Sequence, residues 1–326
     1  MRRERLANTH HACSACRWGG RGEGAAGACY AGAHPLPNPS PIKGEGLKNA
    51  TLISVSTQWK EKEDIRMLVA SQRAFVGAAA ALFGASTALT IAWCRSMSAM
   101  HDVPMPGGWN MSMMWMRMPG QTWPDVAMTF LGMWLVMMAA MMLPALMPML
   151  WRYRRASEAT SQAHIDALTA LVAATYFFVW ALFGAIAFLA GAILTSLEMQ
   201  LPALARAVPG VIGAIVLVSG VLQFSAWKAH HLTCCRRLPD CCGLLRADAR
   251  SAWRHGLRLG LHCVHCCFGL TTVMLVVGVM DLRAMAAVTA AISVERLAPG
   301  GVRVARFTGL VLIATGAFLI ARAVVA

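Results

Sequence analysis

The chain has little charge. Only 13% of its 326 residues are Asp, Glu, Lys or Arg, whereas 57% are hydrophobic. Soluble domains carry about 25% charged residues. A single soluble core is excluded on that ground, and a chain threaded repeatedly through a bilayer is expected. Acidic residues are the scarcer sign, 15 against 29 basic, for a net charge of +14. In a soluble protein that excess points to nucleic acid. Here Lys and Arg lie between apolar runs, where they set membrane orientation, so no nucleic-acid partner is expected. No phosphate-binding Gly-rich loop, nucleophile elbow or His-Glu-x-x-His is present, which leaves an ATPase or a hydrolase without support.

The first 66 residues lack the character of the rest. His34-Pro-Leu-Pro-Asn-Pro-Ser-Pro-Ile-Lys-Gly-Glu-Gly46 has no apolar periodicity and is crowded with turn formers. The basic start is followed by no apolar core of a signal peptide. Residues 1–66 therefore read as a disordered or spurious extension, similar to a translated intergenic repeat, with Met67 as a start. Cys13-x-x-Cys16, beside His10 and His11, falls inside it. Residues 67–326 read as one polytopic membrane domain.

That domain is built of apolar runs. Six are long enough to cross the roughly 30 Å core of a bilayer: Ala74–Cys94, Val126–Trp151, Ala167–Leu197, Ala207–Trp227, Leu259–Met280 and Phe307–Ala326. A shorter run, Ala284–Val294, stands before the last. The expected fold is all-α, a bundle of about seven transmembrane helices. With the first run leaving from the cytoplasm, and residues 1–65 left out, inside segments hold 15 Lys and Arg and outside segments hold 5. Without a crossing by the short run, Arg303 and Arg306 change sides and the bias weakens. The balance places the chain in the inner (plasma) membrane, multi-pass, with its N-terminus cytoplasmic.

Sulfur follows the same division. Sixteen of the 22 methionines lie between Met97 and Met149, eight of them in the outside loop. Cysteines gather toward the inside: Cys234, Cys235, Cys241 and Cys242, then Cys263, Cys266 and Cys267. A thioether forms no disulfide and survives an oxidising compartment, while a thiolate survives in a reducing one. Both are soft ligands of the kind that suit Cu(I). The bland reading of the Met loop is an apolar interfacial segment.

The densest ligand patch is Gly260-Leu-His-Cys-Val-His-Cys-Cys-Phe-Gly269. Cys263, Cys266 and Cys267 stand at i, i+3 and i+4, on one helical face. His262 and His265 are interleaved, and His231, Cys234 and Cys235 lie a short way upstream. One buried Cys is ordinary packing; this combination suggests metal or thiol chemistry. The pairs are too close for a zinc ribbon, whose pairs stand about 15 to 20 residues apart. On the second long run, Met137 and Met141 share a helical face, with Met142 beside them. Glu295 closes the short run, either as a helix-end partner of a basic group or near a metal.

At these residues the chain resembles the DUF2182 family of metal-binding integral membrane proteins, some of which carry a copper-chaperone label. The resemblance rests on Trp134-x-x-Met137-x-x-Ala140-Met141-Met142-x-Pro144, on Gln223 and Lys228 before Cys235-Arg236, on Cys263-x-x-Cys266-Cys267, and on Gly278-x-Met280 with Glu295 downstream. It covers about residues 70–325. His265 stands where the family has Gly, and Phe268 where it often has Trp.

The reading favoured by the sequence is a membrane protein that binds or handles a soft transition metal, copper ahead of zinc. Its expected ligands are Cys263, Cys266, Cys267, His262, His265, Cys234, Cys235, His231, Met137, Met141, Met142 and Glu295. Its expected partners are the lipid bilayer, the metal ion and a protein that donates or accepts it. The competing readings are a membrane thiol–disulfide oxidoreductase, a haem- or quinone-associated subunit, and a purely structural subunit.

Overall fold

The computed structural model describes residues 47–98, 103–105, 109–111, 115, 117, 120–157, 161–237 and 247–325, with side chains described from residue 70 onward except 98, 103–105, 109–111 and 234–237. Among the described residues eight helices follow one another: α1 (Leu47–Ser98), α2 (Trp123–Ala156), α3 (Gln162–Gln200), α4 (Pro202–Leu222), α5 (Ala226–Arg237), α6 (Ala249–Val277), α7 (Leu282–Leu297) and α8 (Gly301–Val325). Between α1 and α2 a ribbon of two three-residue strands, β1 (Val103–Met105) and β2 (Trp109–Met111), pairs antiparallel with Val103 opposite Met111. Of the expected N-terminal extension, residues 1–46, with the Cys13/Cys16 pair, lie outside the described residues; residues 47–66 belong to α1. Residues 82–326 hold one compact unit, and residues 17–81 belong to another.

Six helices among the described residues are long and apolar enough to cross a membrane: Ala70–Met97 within α1, then α2, α3, α4, α6 and α8. They correspond to the six long apolar runs. The short run is α7, with 16 residues. At 1.5 Å per residue it spans about 24 Å, less than a bilayer core. It still returns the chain. A Cβ on Gly213 would meet Ile320, and one on Gly220 would meet Ile313, so α8 runs against α4. Gly269 faces Ser219 while Lys228 reaches Cys266, so α6 also leads away from the end at which α4 finishes. With α6 and α8 running the same way, α7 must bring the chain back between them.

Local chemistry sets the helix ends. Thr122 and Asp125 form a reciprocal capping box at the start of α2. Asp248 accepts from the Ser251 N–H and Asp281 from the Arg283 and Ala284 N–H groups, which opens α6 and α7. α6 stops at Gly278, whose φ of +139° few other residues tolerate.

Two boundaries differ from the expected runs. Ala207–Trp227 is not one helix. α4 closes at Leu222, and Gln223, Phe224 and Ser225 tighten into i→i+3 bonds to Gly220, Val221 and Leu222. Ser225 then takes the Lys228 N–H on its hydroxyl and α5 begins. At the other boundary α6 starts at Ala249, ten residues before Leu259. Arg250, Arg254 and Arg258 end an apolar count but not a helix, because they are good helix formers. The cysteine patch therefore sits near the middle of α6 rather than at its mouth.

The packing around that patch depends on missing side chains. A Cβ on Gly256 would lie 2.7 Å from the Val172 carbonyl, and one on Gly260 would lie 2.9 Å from Val179. Small residues let helix backbones close where lipid supplies no hydrophobic drive. α6 thus lies against α3, in parallel, and carries Cys263 up to Tyr176.

Candidate metal centre

Cys263, Cys266 and Cys267 are all buried, and their sulfurs lie within 4.8 Å of one another. The Cys266–Cys267 and Cys263–Cys267 separations are 3.5 and 3.9 Å. The helical spacing i, i+3, i+4 produces this directly. A metal about 2.3 Å from each of three sulfurs holds them about 4 Å apart, so the group already has the dimensions of a three-thiolate site. Cys263, Cys266 and Cys267 are thiols, with no disulfide among them.

Polar groups from three other helices close on the thiols. Arg296 Nη1 of α7 donates to Cys263 Sγ at 3.0 Å. The Tyr176 hydroxyl of α3 lies 3.0 Å from the same sulfur. Lys228 of α5 donates from Nζ to the Cys266 carbonyl and to Glu295 of α7 at 2.7 Å from the carboxylate. Lys228 is 5% exposed and Glu295 2%, so this ion pair is held out of water. Such pairs persist where the geometry is good and extra hydrogen bonds share the load. Glu295 is a helix-end partner of a base, and that base is Lys228; the adjacent Arg296 turns to the thiol.

The histidines form a second group. His231 and His262 are buried, with their Nδ1 atoms 3.2 Å apart. His231 also stacks on His265 at 5.0 Å between ring centres, and Trp227 lies edge-on to both. Burial, then the neighbouring imidazoles of His265, His262 and His230, pull the His231 pKa down to about 4. It is neutral near pH 7. The expected single Cys/His cluster is thus two neighbouring groups, because His262 and Cys263 are successive helix residues and point about 100° apart around the axis. His265 Nδ1 lies 2.6 Å from the Leu261 carbonyl, which engages one of its ring nitrogens.

The remaining expected ligands are spread out. Met137, Met141 and Met142 are buried on α2. α2 packs mainly on α3 and α7 rather than on α6. Cys234 and Cys235 lie in the last turn of α5, where side chains are outside the described ones; Cys241 and Cys242, and the thioethers of the Met-rich loop other than Met97, are likewise outside what is described. Trp115 of that loop rests on Gly191 and Phe130. Beyond the far end of α6, Cys94 Sγ touches Met280 Sδ at 3.8 Å.

Tyr176 and Arg296 are the residues sequence reasoning missed. Tyr176 sits in a long apolar run with nothing local to distinguish it. Arg296 carries one local signal, a basic residue directly beside the carboxylate that ends the short run, and that signal points equally to a partner for Glu295.

Six apolar spans and a buried three-thiol group define the class: a multi-pass membrane protein that handles metal. A family model, PpoB2, described as copper chaperone, matches residues 131–319, more than half of the chain. The chain belongs to this copper-chaperone family. Comparison with curated proteins and with solved structures returns no match.

Proposed function

We propose that the protein takes up Cu(I) on Cys263, Cys266 and Cys267 and passes it on to an acceptor protein. The observation that carries this reading is the buried three-thiol group with a cation, Arg296, already donating to one of its sulfurs. With two of the three cysteines bound as thiolates and the third still a thiol, the Cu(I) site carries a charge of −1, which Arg296 offsets, while Lys228 and Glu295 neutralise each other. An uncompensated charge in such a site is costly.

Copper is favoured over zinc by the ligand count. Structural zinc is almost always four-coordinate, and the thiol group gathers no fourth His, Cys, Asp or Glu among the described residues. Thiolates alone suit Cu(I). His231, His262 and His265 sit beside the group as a nitrogen-donor stage, with Glu295 holding Lys228 in place. Met137, Met141 and Met142 line the route through the bundle. The Met-rich loop gathers copper on the oxidising side of the inner membrane. The thiol group then faces the cytoplasm, with the N-terminus on the same side, as the Lys and Arg balance indicates. Residues 1–66 lie outside this machinery.

The test is the metal content of purified full-length protein. The wild type is expected to hold about one copper that the Cys263→Ser/Cys266→Ser variant lacks. Copper and zinc content unchanged by the double substitution refutes the reading.

A further inference from the structure

Behind the thiol group, the break between α4 and α5 opens a cavity of about 310 Å³ against the start of α8. Its lining includes Gln223, Lys228, Val302, Ala305 and Arg306. A second void, of about 10 Å³, continues from it. Gln223 and Lys228 line both, and the second also touches Cys266, Trp227 and His265. Through these shared residues the two voids mark a path from the start of α8 toward Cys266.

The walls of that passage have a sign. Arg306 is exposed at the cavity and Arg303 stands three residues before it. Among the described residues lining either void there is no carboxylate, and Glu295, the partner of Lys228, is held by it. A bare Cu(I) cation meets repulsion here, whereas an anionic complex is drawn in. Gln223 adds a second, independent indication. It is 5% exposed, and neither its amide nitrogen nor its amide oxygen has a hydrogen-bond partner. A buried amide left unsatisfied costs about 1–3 kcal/mol, so its place on both voids marks a position for a polar ligand. The volume lies at the lower end of the about 300–1,000 Å³ of small-molecule sites.

We propose that copper reaches or leaves the thiol group through this cavity as an anionic Cu(I)–thiolate complex of a small carboxylate-bearing thiol. Arg306 attracts the complex and Gln223 donates its amide to a carboxylate. Exchange then begins at Cys266. Two Cu–S bonds to the carrier break as two Cu–S bonds to the protein form. The two protein thiol protons leave with the two carrier thiols, and copper stays Cu(I) throughout. This rests on the copper reading above and adds the chemical form of the cargo.

The experiment offers Cu(I) to purified full-length protein as its glutathione complex, which is anionic, and as its acetonitrile complex, which is cationic. Transfer rates are measured by stopped flow and copper content at equilibrium. In Arg306→Gln, transfer from the glutathione complex is expected to slow about 3- to 10-fold at low salt, as removal of a steering charge does. The acetonitrile rate and the final copper content stay at wild-type values. Gln223→Leu is expected to slow the glutathione transfer alone. Equal slowing with both carriers, or none, overturns the inference and leaves the copper reading intact. So does a result in which Arg306→Gln changes only the association with phosphatidylglycerol vesicles, which makes Arg306 a lipid-headgroup contact. Wild-type protein that retains copper from neither carrier overturns the copper reading and the inference with it.

Discussion

Removing one member of the buried ion pair tests the architecture of the site without touching a thiol. Lys228→Met leaves Glu295, 2% exposed, without the cation that lies 2.7 Å from it. Breaking a buried pair in this way costs about 3–5 kcal/mol. The Cys266 carbonyl loses its donor as well, a further contribution of about 1 kcal/mol. At about 2–4 °C per kcal/mol for a domain near this size, the midpoint should fall by on the order of 10 °C. Thermal unfolding in detergent can be followed by a thiol-reactive dye, since Cys263, Cys266 and Cys267 are thiols buried until the bundle opens. Lys228→Met/Glu295→Leu removes both charges and should recover most of the loss, because an apolar pair of similar volume is often neutral or stabilising. The double substitution separates a pair-specific effect from loss of the Lys stem. A drop of under about 2 °C in the single variant, or a double variant no better than the single, refutes the reasoning.

Four further outcomes follow from the same geometry. Arg296→Gln removes the charged donor to Cys263, worth about 1.5–3 kcal/mol, so copper affinity measured by chelator competition should fall by about 10- to 150-fold. Tyr176→Phe loses a neutral contact worth about 1 kcal/mol and should weaken copper by about fivefold, with the fold intact by thermal transition. Trp134→Phe removes the indole N–H that donates to the Trp180 carbonyl at 2.9 Å; a loss of about 0.5–1.5 kcal/mol is expected in the same melting assay. Gly316→Leu drives a Cβ to 2.5 Å from the Leu217 backbone nitrogen, and prying α4 from α8 should cost about 1–3 kcal/mol or more, read as lower yield and a lower transition.

The sequence by itself determined what depends on neighbours along the chain. Low charge and six long apolar runs require membrane-crossing helices, since lipid leaves the backbone no other partner. The Cys263, Cys266 and Cys267 spacing placed three thiols on one face before any fold was known, because helical periodicity is local. Run boundaries were less legible. Arginines at 250, 254 and 258 conceal the start of α6, and an apolar stretch conceals the turn at Gln223–Ser225, because hydropathy does not register helix continuity.

Only the tertiary structure decided which groups meet those thiols. Lys228 pairs with Glu295 across 67 residues, and Tyr176 reaches Cys263 across 87. Neither pairing leaves a local pattern. Each arises because glycines at 256 and 260 let α6 close on α3, and because the turn after α4 swings α5 toward α7. The same three-dimensional placement split the expected Cys/His cluster into a thiol group and an imidazole group. Adjacent helical residues diverge by about 100° around the axis, and the partners of each face come from different helices.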